Sequence, residues 1–153
     1  MRKYSIILSI FLDLAVASTA WAQKTYRVDA ATDSCLRYYI NVHGAGRLIK
    51  SFSLSTLAQV PEIDSARILT YKKVKNLHYV LIWYMYPSHP GRRDGQCGAG
   101  YEEYVASLQL KNDLKLNRFT TIHTVSCWEG FGKNFSFDAQ HPEKGFKLVD
   151  TFY

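Results

Sequence analysis

Past its first two dozen residues the chain has no apolar run long enough to cross a bilayer. A spanning helix needs about 20 predominantly apolar residues, and the most apolar later stretch, LHYVLIWYMY at 77–86, is far shorter. There are only three cysteines and five histidines, with no CxxC, HxH or HExxH spacing among them. Neither a dithiol redox pair nor a sequence-local metal site is therefore expected. GxSxG, a Walker A loop and a GxGxxG after a strand are also missing, which leaves nucleophile-elbow hydrolases and nucleotide enzymes without sequence support. No repeat, low-complexity tract or Pro/Gly/Ser-rich linker divides the chain, so one domain is expected over 23–153.

The N-terminus carries a pattern of its own. Arg2 and Lys3 form a positive n-region, Ile6–Leu12 and Leu14–Ala17 an apolar stretch interrupted by Asp13, and Ala20-Trp21-Ala22 a small-x-small cleavage pattern. That order of parts is a cleavable secretory signal over 1–22, and the expected location is periplasmic or secreted. Removing it leaves a net charge of +5, from +6 for the whole chain. The basic residues are dispersed, and an exported protein rarely meets nucleic acid, so that ligand is not expected. An acidic protein partner or an anionic envelope polymer suits the charge better.

Most segments between turn signals are short and rich in Tyr, Phe, Val, Ile and Thr, the composition of strands. Strands are expected over 25–28, 35–42, 47–54, 66–74, 77–86, 101–111, 115–127 and 145–152. One short helix is expected over 55–60, with Ser55 as its cap. The fold class is mainly β, an antiparallel meander forming a sandwich, a barrel or a small propeller-like sheet set. Lys75-Asn76 reads as a tight turn pairing 66–74 with 77–86. The latter is expected to be a central strand covered on both faces.

An oxidising compartment favours cysteine pairing, and hairpin register suggests the pair. A hairpin centred on Asn112 opposes residues whose numbers sum to 224, setting Leu108 against Leu116, Val105 against Phe119 and Cys97 against Cys127. A one-residue shift would destroy all three matches. A Cys97–Cys127 disulfide is expected, stabilising by about 3–4 kcal/mol in the chain-entropy model. Cys35 is left over, either buried and free or available for an intermolecular bond.

The segment 87–100, PSHPGRRDGQCGAG, concentrates turn formers, a His, paired Arg and a Cys. Long connections in antiparallel sheets are often functional, and Arg can form paired hydrogen bonds to a carboxylate. Ser88, His89, Arg92, Arg93 and Asp94 are the expected partner-binding residues. The alternative is a solvated loop that only keeps an edge soluble. Glu102 and Glu103 look like a carboxylate pair, but strand neighbours face opposite ways and cannot flank one bond. No catalytic residue, cofactor or metal site is expected.

The stretch 87–127, PSHPGRRDGQCGAGYEEYVASLQLKND followed later by VSC, resembles small uncharacterised exported proteins of Gram-negative bacteria that carry a CGAGxE segment and a later SC. The resemblance implies a periplasmic home and no catalytic assignment. In size, export and β-rich character the chain is also similar to periplasmic immunity proteins and bacterial lysozyme inhibitors. These features point to a non-enzymatic periplasmic binding protein, an immunity protein or inhibitor that neutralises an exported toxin or peptidoglycan-degrading enzyme through 87–100. The alternatives are a cell-envelope enzyme or ligand-binding barrel using Glu102 or His123, and a structural subunit linked through Cys35.

Overall fold

A computed structural model describes residues 25–88, 100–127 and 129–149. Among them the chain is mainly β, with ten strands in three antiparallel sheets. β1 (Tyr26–Thr32), β2 (Tyr38–Gly44) and β3 (Arg47–Ser53) form a three-stranded meander. A one-turn helix α1 (Leu54–Ala58) follows. β4 (Ser65–Val74), β5 (Leu77–Pro87), β6 (Tyr101–Lys111), β7 (Leu116–Ser126) and β8 (Phe131–Gly132) form a second sheet in sequence order, curled into a half-barrel. β9 (Asn134–Phe137) and β10 (Phe146–Val149) make a two-stranded ribbon around a 3-10 turn at Pro142–Lys144. No helix of the described residues is long and apolar enough to cross a membrane.

Alternation on β5 and β6 explains the layering. Val80, Ile82 and Tyr84 of β5 and Ala106, Leu108 and Leu110 of β6 share one face and pack with Ile40 and Val42 of β2 and Leu54 of α1 in a single core. Each fully buried aliphatic side chain here contributes about 1.5–3 kcal/mol. Leu81 and Val105 point the other way and are fully buried too. The C-terminal segment crosses this second face: Lys72 Nζ donates to the Gln140 carbonyl at 2.7 Å and Thr70 Oγ1 to that of Ala139 at 3.4 Å, while Pro142 is buried. β5 is thus covered on both sides, as its continuous apolar run predicts.

The Lys75-Asn76 turn joins β4 and β5 directly, with Val74 opposite Leu77 and Lys75 in the left-handed region at φ 54°. The helix cap differs from expectation. Ser53 Oγ, not Ser55, accepts the Thr56 N–H, at 3.3 Å, and α1 starts one residue earlier. β8 and β9 are absent from the expected strands, being too short to show a period, and the last strand is limited to 146–149 within the described residues.

The β6–β7 register corrects the 224 rule. The turn runs through Lys111–Lys115, whose Lys111 N–H donates to the Lys115 carbonyl at 2.8 Å, with Leu114 at φ 60°. It is centred on Asp113, and two register shifts follow, one on each side of the run from Tyr104 to Gln109. Each inserts one residue of β7, Asn117 and Thr124, without a partner on β6. Leu108 therefore faces Phe119, Val105 faces Ile122, and Glu102 faces Ser126. Extending this register sets Tyr101, not Cys97, opposite Cys127. The register argument fails at its two apolar pairs, because bulges cannot be read from side-chain alternation, while Cys97 itself lies outside the described residues.

Candidate functional site

Where β5, β6 and β7 end together, the core-facing side chains change from aliphatic to polar and aromatic. Glu102 lies on the same face as Tyr104 and Ala106, two and four residues along β6. It is 6 % exposed. Two donors converge on its carboxylate: Ser88 Oγ on Oε1 at 2.6 Å and His123 Nε2 on Oε2 at 2.7 Å. Glu103 turns to the opposite face, where its Oε2 accepts from Trp83 Nε1 at 3.1 Å. The two acids are separated by the sheet, as strand geometry predicts.

Register decides which rings surround Glu102. Tyr84 faces Tyr104 across β5–β6, and Tyr104 faces His123 across β6–β7. The His123 imidazole lies flat on Tyr104, with centroids 4.2 Å apart and planes 3° off parallel, and meets the edge of Phe131 at 4.9 Å. Tyr84 and Tyr86 stack on Tyr104 at 5.4 and 5.5 Å. Tyr86 donates its hydroxyl to that of Tyr104 at 3.2 Å. Burial, then the Tyr86 contact, holds the Tyr104 phenol well above its ordinary pKa, and burial does the same for Tyr84. These phenols stay protonated and act as packing surface and hydrogen-bonding groups.

The arrangement contains a Ser, a His and a Glu, but their order is wrong for nucleophilic catalysis. A serine nucleophile must donate to histidine, with the carboxylate behind the imidazole. Here the carboxylate is central and takes both donors, so His123 Nε2 is not directed at the serine hydroxyl. The geometry instead ties three strand ends together. Ser88 N–H also donates to the Gly100 carbonyl at 3.0 Å, and Pro87 pairs with Tyr101. The two roots of the 89–99 connection are therefore clamped to each other and, through Glu102 and His123, to β7.

Of the residues expected to bind a partner, Ser88 lies at this root, half-buried and turned inward to Glu102. His89, Arg92, Arg93 and Asp94 lie outside the described residues, as does Cys97. The secretory pattern over 1–22 lies outside them as well. Cys127 directly follows β7, one residue past the partner of Glu102. Glu102 and His123 come together as an acid–base pair beside Tyr84 and Tyr86, which belong to the aromatic stretch 77–86, and beside Tyr104, which no sequence pattern singled out. The period of two on β6, which puts Tyr104 beside Glu102, was the available signal. Among the described residues no group of His, Cys, Asp and Glu has the geometry of a metal site.

Cys35 is exposed and free, in the β1–β2 loop rather than in a strand. Asp33 builds that loop, with Oδ1 accepting the N–H groups of Cys35 and Arg37 at 2.9 Å each and Oδ2 pairing with the Arg37 guanidinium. The loop borders a cavity of about 490 Å³ whose lining includes Thr32, Cys35, Arg37, Tyr38 and Glu62, within the range of small-ligand pockets. No family model matches the chain, and no curated protein and no solved structure matches it.

Proposed function

We propose that the protein is an exported, non-enzymatic binding protein that presents the 87–100 segment to a protein partner, as a periplasmic immunity protein or an inhibitor of a cell-wall-degrading enzyme does. The observation that carries this reading is the clamp at the segment's base. Ser88 and Gly100 are bonded to each other, and Ser88 is bonded again to a buried Glu102 that is itself held by His123. A connection with fixed roots loses less entropy on binding than one anchored in loose chain ends. Arg92, Arg93 and His89 give it the donors to engage carboxylates, the groups on which many wall-degrading hydrolases depend. The secretory pattern over 1–22 and the resemblance to small periplasmic proteins support a partner met in that compartment.

A Cys97–Cys127 disulfide belongs to the same proposal. Cys97 precedes Tyr101 by four residues, and Cys127 follows the residue paired with Glu102, so the bond would require only a short return of the chain. Peptide mapping of the unreduced protein tests the bond, with a 97–127 cross-linked fragment expected. For the function, the secreted chain is added to peptidoglycan digestions by muramidases and amidases. Inhibition that disappears in a folded Arg92→Ala/Arg93→Ala variant supports the reading. Undiminished inhibition by that variant, or none by the parent against the whole panel, overturns it.

A further inference from the structure

His78 lies on the core face of β5 and is fully buried. Its neighbours come from both sheets. From the three-stranded sheet the Tyr26 ring meets it edge-on at 4.9 Å; from the half-barrel, Tyr71 of β4 stacks on it at 6.0 Å and bonds its Nδ1 at 2.8 Å. Its strand partners are Lys73 on β4 and Leu110 on β6. The other ring nitrogen, Nε2, is buried and has no hydrogen-bond partner among the described residues. The imidazole thus fills the seam where β1 crosses β4, with one nitrogen satisfied and one not.

We propose that His78 is an acid-operated latch: protonation of its ring loosens the three-stranded sheet from the half-barrel along the Tyr26–His78–Tyr71 seam. Either neutral tautomer leaves a single uncharged nitrogen unpaired. The imidazolium must carry two N–H groups, of which only the one at Nδ1 meets an acceptor, the Tyr71 oxygen. Among the described residues no carboxylate bonds or pairs with the ring. Tyr71 stays protonated, its phenol pushed up to about 12 chiefly by burial. Tyr26 is a phenol as well, Leu110 is apolar, and the charged group acting on the ring is the cationic Lys73, whose Nζ is held on Asn112 at 2.6 Å. Burial first, and Lys73 second, therefore hold the imidazole below its ordinary pKa.

The folded-state value is depressed, so the neutral ring's contribution is complete above the unfolded-state pKa of about 6.5 and is lost as pH falls below it. One proton taken up on opening changes the opening constant by up to about tenfold per pH unit. The seam is the place to open because exposing it rehydrates His78 at the cost of separating one small sheet.

The test uses the intact exported chain. Imidazole NMR should show His78 protonating well below pH 6.5. Amide exchange, corrected for its intrinsic pH dependence, should show bonds shared by β1 and β2 losing up to about tenfold in protection per unit between pH 6.5 and 5, with those between β6 and β7 unchanged. His78→Gln should remove that difference. Titration of His78 at or above 6.5, loss spread evenly over both sheets, or unaltered pH dependence in His78→Gln would overturn the latch. The first two measurements need no variant, so they decide the matter even if His78→Gln does not fold.

Discussion

Glu102 is where a single substitution should be most informative. Its carboxylate is almost wholly buried and accepts from Ser88 at 2.6 Å and from His123 at 2.7 Å. A hydrogen bond to a charged group contributes about 1.5–3 kcal/mol net, and removing one member of a buried pair costs about 3–5 kcal/mol because the remaining partner is left unsatisfied. His123 is about a quarter exposed, so water rescues part of its loss and the lower end applies. Glu102→Leu is expected to lower unfolding free energy by about 3 kcal/mol, and Glu102→Gln, which keeps an acceptor for Ser88 and a polar contact for His123, by about 1–2 kcal/mol. The assay is urea unfolding at pH 7, with His123→Ala alone and combined with Glu102→Leu to isolate the coupling. A Glu102→Leu cost under about 1 kcal/mol, or strict additivity with His123→Ala, would refute the clamp, since buried partners in one network couple by about 0.5–3 kcal/mol.

Three further outcomes follow from local geometry. Ser53→Ala removes the helix cap and should cost about 1 kcal/mol by thermal or urea unfolding, whereas Ser55→Ala should cost much less. Leu108→Ala opens a cavity between the two main sheets and should cost about 2–5 kcal/mol, measured as a fall in urea midpoint with unchanged slope. Lys75→Gly relieves a side chain held at φ 54° and should stabilise by about 0.5–1 kcal/mol after the extra freedom of glycine in the unfolded chain is counted. A lower melting temperature for that variant would contradict the strained-turn reading.

The strand pattern was legible wherever alternation ran for many residues. β3, β4, β5 and β6 fall within one or two residues of their expected limits, because their period of two continues beyond any local ambiguity. The Lys75-Asn76 turn was legible for the same reason: two long apolar strands leave two residues between them. Glu102 and Glu103 were assigned to opposite faces from strand geometry alone. Short elements were not legible. Phe131–Gly132 and Asn134–Phe137 pair only because a longer strand or a facing ribbon supplies their hydrogen bonds, and the Ser53 cap depended on where β3 stopped.

The hairpin shows most clearly where such reasoning ends. Leu108, Val105 and the cysteines satisfied a register that used one turn residue and no bulge. Asn117 and Thr124 are the extra residues that defeat it, and Thr124 Oγ1 bonds the Glu103 carbonyl at 3.0 Å while its own carbonyl accepts the Lys133 N–H at 2.7 Å. Nothing in those two side chains announces a bulge; it arises from fitting a curled sheet around a core.

By itself, then, the sequence determined that this would be an antiparallel β protein with β5 an interior strand covered on both faces, since those properties rest on periodicity and composition. Tertiary structure alone decided that Ser88, Glu102 and His123 meet, that Tyr84, Tyr86 and Tyr104 wall them in, and that His78 closes the seam between two sheets. These are contacts between residues 7 to 52 positions apart, and their distances depend on register, bulges and sheet packing that no local pattern encodes.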